Sequence, residues 1–306
     1  MPYCPACGQE LAEGASYCQK CGAALKGRTG AMEATEAPAP GLSIDPKAFR
    51  HPKERLFFTL GAVVSGLAWI FLIWVAWPAL LVLAFVFWLV GLYVKAFLYG
   101  NAVCLSEEQF RQVYAMARRM GEELRLAELP EVFVLSGQGA LNALAMRFFS
   151  GRYILLYGEL VDLMLRRRAF AELRMIIGHE LAHHAIGHVS IWKRLLLAPA
   201  FFLPFFGAAY SRACELSADR VGMMLARDHA AALRALLALA LGSEALAAEV
   251  KPEVFVAQEK HVPKAIGFLM ELFATHPRMT KRMIEIEGFE REQTLGLSGV
   301  GAQAGM

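Results

Sequence analysis

Charge is what this sequence has least of. Only 19% of its 306 residues are charged, against 57% hydrophobic, and the mean hydropathy is +0.40. A soluble globular chain carries about 25% charged residues, so the ordinary soluble class is a poor fit. The deficit is local. No charged residue occurs from Leu56 to Val94, and that run holds four of the five tryptophans. One helix crosses a bilayer with about 20 apolar residues, so the run is long enough for two crossings and longer than any globular core requires. An excess of one sign of charge is also missing. A formal net charge of +3 is too slight for a nucleic-acid binder. Beyond residue 21 only Cys104 and Cys214 remain, with no ligand-like spacing, which excludes a disulfide framework. The N-terminus lacks a basic stretch followed by an apolar one, so no signal peptide is expected. No internal repeat is visible.

The cysteines that are present are ordered: Cys4-x-x-Cys7, then Cys18-x-x-Cys21. Each C-x-x-C turn sets two thiolates on one side of a tight knuckle, and two knuckles complete a tetrahedral Cys4 zinc site. Gly8 and Gly22 follow the second cysteine of each pair, where backbone N–H groups approach sulfur. Residues 1–25 therefore read as a zinc ribbon holding one structural zinc, of the kind many bacterial membrane proteins carry at one end. Residues 26–46 mix Ala, Gly, Pro and Glu without apolar period and read as a flexible linker.

Residues 56–98 read as a transmembrane helical hairpin, Leu56–Ala76 and Ala79–Leu98, with Trp77-Pro78 as the turn and Lys95 at the interface. Lys47, Arg50, Lys53 and Arg55 precede it, Lys95 and Arg111 follow it, and the turn has no basic residue. The positive-inside rule then puts both ends in the cytoplasm: a multi-pass inner-membrane protein with ribbon and soluble domain on the cytoplasmic side. Downstream, Ser106–Leu126 reads as a helix opened by a Ser106/Gln109 capping box. Strand-like runs at Val132–Leu135 and Tyr153–Tyr157 flank the segment GALNALAMRF. The pattern is helical from Glu159, and a Gly-rich tail covers 295–306.

Four of the eight histidines lie in one stretch, IIGHELAHHAIGH, Ile176 to His188. His179 and His183 are four apart, so a helix places both on one face, where both imidazoles can ligate one zinc. Glu180 lies about 100° round the helix, placed to hold a metal-bound water without ligating the ion. The competing reading is ordinary packed or solvated helix. Further on, in SRACELSADR, Glu215 and Asp219 also share a helix face. Glu215 can supply a third, carboxylate ligand, and Asp219 can accept a hydrogen bond from a ligand histidine. Alone, that pair would be a solvated face.

Taken together, LNALA, GHELAHHAIGH, RACELSAD and THPRMTKR resemble, in order, the motifs of the M48 family of membrane zinc metallopeptidases, which includes the HtpX-type heat-shock proteases and the CaaX prenyl-protein proteases. The resemblance covers about Leu105 to Glu287. It implies a mainly α (α+β) gluzincin-type metallopeptidase domain at 105–288, with a small edge sheet and one catalytic zinc on His179, His183 and Glu215. Glu180 would be the general base and Asp219 would orient a ligand histidine. His276 would stabilise the oxyanion, with Arg282 as a nearby catalytic support, and Asn142 would lie on a substrate-binding edge strand. His184 and His188 are left structural.

HtpX-type relatives place two more membrane helices between the HExxH helix and the third ligand. Here that interval holds only LLLAPAFFLPFFGAAY, Leu195 to Tyr210, too short to cross and interrupted by Pro199 and Pro204. It reads as a membrane-dipping segment beside the active site, the alternative being a buried hairpin. The implied function is a cytoplasm-facing zinc endopeptidase in membrane-protein quality control. Its partners would be misfolded or membrane polypeptides, the bilayer and a protein bound by the ribbon. The rivals are a non-catalytic adaptor and a site-2-type intramembrane protease, the latter disfavoured by Glu172 and Arg174 just before His179.

Overall fold

A proline and a histidine start the longest element. Pro52 occupies the first turn of helix α1 (Pro52–Asn101), and His51 caps it, its Nδ1 accepting from the Lys53 N–H at 3.2 Å. In the computed structural model, which describes residues 43–203 and 205–296, the two expected spans are two helical stretches that join at a kink and are numbered here as one element. Its only non-helical residue is Ala76 (φ −125°, ψ 21°), two positions before Pro78. The expected turn at Trp77-Pro78 is therefore a kink, because Pro78 removes one helical N–H and crowds the preceding turn. Among the described residues α1 is the only helix long and apolar enough to cross a membrane.

The four ribbon cysteines, residues 26–42 of the expected linker and the tail beyond residue 296 lie outside the described residues. The last linker residues correct the sequence reading. Ile44 is buried in the core and its N–H donates to Glu123 O at 2.8 Å. The chain accordingly divides after Leu42, and residues from Ser43 onward belong to the larger unit.

Strand β1 (Val103–Cys104) follows α1, then α2 (Arg111–Glu123). The expected capping box does not form. Ser106 Oγ accepts from the Glu108 and Gln109 N–H groups inside a turn, and the helix starts later, after Phe110 in a left-handed conformation (φ 54°). Strands β2 (Glu131–Leu135), β3 (Ala143–Phe148) and β4 (Gly151–Tyr157) complete a sheet of order β1-β2-β4-β3. β2 and β4 run parallel while β3 pairs antiparallel to β4, so one edge of β3 stays open.

The helices then run α3 (Gly158–Arg166), α4 (Phe170–Ile186), α5 (Ile191–Phe201), α6 (Phe206–Ala226), α7 (His229–Leu241), α8 (Glu244–Ala247), α9 (Pro252–Ala257), α10 (Lys264–Phe273) and α11 (Met279–Thr294). With Phe289 buried, α11 extends the domain past the expected boundary at 288. Side chains alternate across a strand. Ile154 and Leu156 of β4 enter the main core with α4, while Tyr153 and Leu155 pack with Phe133 and with Leu98 of α1. Both faces are covered, which explains the unbroken apolar run YILLY in β4.

The first half of α1 repairs a broken helix. Pro199 deprives the Leu195 carbonyl of its helical partner, and the Ala200 N–H is taken by Ser65 Oγ at 3.0 Å. The Trp69 indole N–H then donates to Leu195 O at 3.0 Å and Leu196 O at 3.1 Å.

Two glycines bring α4 and α6 together. A Cβ on Gly222 would stand 2.8 Å from Met175 O, and one on Gly178 would stand 3.3 Å from Gly222 Cα. This close crossing lets a carboxylate on α6 reach histidines on α4. Gly222→Ala should force the helices apart and cost about 1–3 kcal/mol, read as a lower unfolding midpoint together with weaker metal binding.

Candidate metal centre

The helical register of α4 sets His179 and His183 on one face, and their rings meet edge to face with Nε2 atoms 3.1 Å apart. From α6, Glu215 brings Oε2 to 3.4 Å from His179 Nε2 and Oε1 to 3.4 Å from His183 Nε2. A tetrahedral zinc with ligands at about 2.0–2.1 Å holds neighbouring donor atoms about 3.3 Å apart. Each of these three donor pairs stands near that spacing, with a different Glu215 oxygen facing each histidine, so the donor set fits the ion by geometry as well as by ligand type. Burial opposes charge on Glu215, yet the two histidines hold its carboxyl well below the usual carboxylate range.

Asp219, one turn further along α6, accepts from His179 Nδ1 at 2.9 Å. That bond directs the other nitrogen, Nε2, at the ligand cluster. Asp219 is itself held by Arg282 of α11, through Nε at 2.7 Å and Nη2 at 2.5 Å. Burial would raise its pKa, but Arg282 first and His179 second bring it down. Arg282 is buried and its nearest nitrogen is 4.0 Å from Glu215. Its guanidinium holds Asp219 and also lines the cavity, the position of the nearby supporting arginine the resemblance implies.

Glu180 lines a cavity of about 540 Å³ with His179, His183 and Glu215, and its side chain makes no hydrogen bond among the described residues. Asn142 and the first residues of β3 line the same cavity, with Asn142 O accepting from the Tyr157 N–H at 3.0 Å. His276 is the exposed member, 67% accessible, with Nε2 3.6 Å from Glu215 Oε1. Asn142, His179, Glu180, His183, Glu215, His276 and Arg282 thus line one cavity, and Asp219 stands behind His179.

His184 and His188 divide. His184 is buried with Nε2 3.2 Å from Tyr153 O, and burial pushes its pKa down to about 4. It braces α4 on the sheet, as expected. His188 is also buried, but its Nδ1 lies 3.0 Å from His183 Nδ1 and its Nε2 lies 3.3 Å from Glu54 of α1. Sequence reasoning left His188 structural and passed over Glu54. The one local signal was Gly187, whose left-handed φ of 82° ends α4 and turns His188 back over His183.

The profile of peptidase family M48 matches residues 107–203 and 190–290. The chain belongs to peptidase family M48. Within this M48 protein the two matched stretches overlap at 190–203, in the segment that carries the shortened α5–α6 connection. Membership implies zinc, in line with the ligand spacing. A zinc-ribbon domain profile matches residues 3–25. Among curated proteins the chain is similar to the plastoglobule-localized metallopeptidase 48, chloroplastic, of Arabidopsis thaliana, with 25% identity over 216 residues. The alignment covers 63% of this chain and 60% of that relative's length. No solved structure matches the chain.

Proposed function

We propose that this M48 protein is a membrane-anchored zinc endopeptidase. The observation that carries the reading is the convergence of His179, His183 and Glu215 at zinc-ligand spacing, with Glu180 beside them in a cavity. Zinc, when bound there, acidifies water and polarises a peptide carbonyl. The chain's own residues supply the rest. Glu180 accepts a proton from the attacking water and returns it to the departing amine. His276 Nε2 sits near Glu215, placed to donate to the oxygen on which negative charge builds. Asp219 and Arg282 hold His179 in the required tautomer. The open edge of β3 near Asn142 lets an extended substrate add as a strand, recognised through its backbone, which suits damaged or misassembled polypeptides of varied sequence. An adaptor role would not require the base, yet Glu180 is in place.

The basic residues on both flanks of α1 support an anchor whose two ends lie in the cytoplasm. Exposed Trp192, Leu195, Phe202 and Phe205 surround the α5–α6 connection. The bonds from Trp69 and Ser65 tie that connection to the apolar run, which supports its lying at the membrane. In that setting every backbone group must find a protein partner. Cys4, Cys7, Cys18 and Cys21 would hold a second, structural zinc in a ribbon that recruits a partner.

Hydrolysis of casein by the purified chain in detergent tests the reading. Glu215→Ala should retain one zinc, in the ribbon, and lose casein cleavage; cleavage at the wild-type rate would refute the ligand assignment. Reporter fusions at residues 40 and 300 should both report cytoplasm. A periplasmic C-terminal signal would mean an odd number of crossings.

A further inference from the structure

We propose that Glu54 and His188 form a relay that orients His183, His188 through a hydrogen bond to His183 and Glu54 through its charge beside His188, so that the start of the apolar helix α1 sets the metal affinity of the site. Both are positioning residues, and the inference rests on the zinc-peptidase reading above.

The proton positions lead to this assignment. His183 Nδ1 and His188 Nδ1 are 3.0 Å apart, so one of them must carry the shared proton. His183 presents Nε2 to the ligand cluster. Its proton therefore resides on Nδ1 and is donated to His188 Nδ1. His188 in turn keeps its own proton on Nε2, a buried nitrogen with no hydrogen bond of its own whose nearest acceptor is Glu54 Oε2, 3.3 Å away. Every nitrogen then has one role, and a carboxylate ends the chain. The opposite tautomer would aim a proton from His183 Nε2 at the two other ligand groups, His179 and Glu215.

The arrangement repeats on His183 what Asp219 does for His179. There the carboxylate touches the ligand directly; here His188 is interposed. Glu54 is fixed in turn: Ser217 Oγ donates to Oε2 at 2.6 Å and accepts from the His51 N–H at 2.9 Å, while Arg50 lies 3.5 Å from Oε1. Glu54 stands two residues before Leu56, where the uncharged run begins. A shift of α1 against the peptidase domain would thus reach a zinc ligand through two side chains.

Glu54, His188 and Cys214 also lie close enough to hold a metal ion themselves. The tautomers argue against that use. A metal on His188 Nε2 would move the proton to Nδ1, where it would oppose the proton of a metal-bound His183.

Cobalt(II) titration of the full chain in detergent tests the relay. The ribbon's thiolate charge-transfer band serves as an internal control, and the weaker d–d bands report the His/Glu site. His188→Phe should weaken cobalt binding at that site by about 10–100-fold, as expected when a partner of a ligand histidine is lost. Glu54→Gln should weaken it by a smaller factor, and the double variant should bind no worse than His188→Phe alone, with the ribbon band unchanged throughout. Additive losses in the double variant, or unchanged affinity in both single variants, would overturn the relay. So would a third cobalt per wild-type chain, which would mark Glu54, His188 and Cys214 as ligands. Absence of the d–d bands from the wild type would sink the zinc-peptidase reading itself. Ring-nitrogen NMR shifts of the wild-type, metal-loaded chain give a check that needs no variant. His188 must show Nδ1 unprotonated and Nε2 protonated, and the reverse overturns the proposal.

Discussion

Glu180→Gln is expected to reduce peptide hydrolysis by on the order of 10²–10⁴-fold, the usual worth of a positioned general base, with metal content and unfolding midpoint unchanged. The change is isosteric, and the side chain makes no hydrogen bond among the described residues that its loss could break. It lines the cavity one residue after His179, so the substitution removes a proton acceptor and little else. Casein cleavage, zinc content and thermal unfolding of one preparation check all three parts. Residual hydrolysis at the wild-type rate would assign the proton transfer elsewhere.

The largest stability effect should come from Arg282→Met. Asp219 is 1% exposed and its carboxylate is balanced by the two Arg282 bonds and His179. Removing one partner of a buried pair leaves an uncompensated charge and costs about 3–5 kcal/mol. Without Arg282, the Asp219 pKa should rise from its depressed position toward that of a buried, protonated carboxyl. A protonated Asp219 is a weaker acceptor for His179 Nδ1, so metal affinity should fall along with stability. The double variant Asp219→Leu with Arg282→Met has no buried charge to strand and no acceptor for His179 Nδ1. It should recover part of the unfolding midpoint while metal binding stays weak. Recovery of both together would show that Asp219 has no part in orienting the ligand.

Local chemistry made much of this site legible beforehand. Two histidines four apart on an apolar helix can only share a face, and the carboxylates four apart in RACELSAD obey the same rule. The order of the four motifs then carried the family, including Asn142 and His276. The strands were readable where their apolar runs are continuous, as in YILLY. The two-residue β1 was not, because its strand character comes from its pairing with β2. The α2 start was misplaced because Ser106 uses its hydroxyl in a turn, a choice decided by the left-handed Phe110 that follows. The linker was drawn too long because Ile44 is one apolar residue in a polar stretch, with no period to mark it as core.

By itself, then, the sequence determined whatever depends on neighbours within a few turns: the face shared by His179 and His183 with Glu180 beside it, the shared face of Glu215 and Asp219, the two C-x-x-C pairs and the uncharged run. The tertiary structure decided which distant groups complete those local patterns. Arg282 is 63 residues from the Asp219 it holds, and Ser65 and Trp69 meet a proline-broken helix on the far side of the active-site motif. Glu54 reaches His188 because α1 packs against α5 and α6, and Gly187 turns the chain back after α4. Spacing along a chain encodes a helix face, since the 3.6-residue turn converts number into direction. It encodes no such direction between separate elements, whose approach is set by which surfaces they bury against one another.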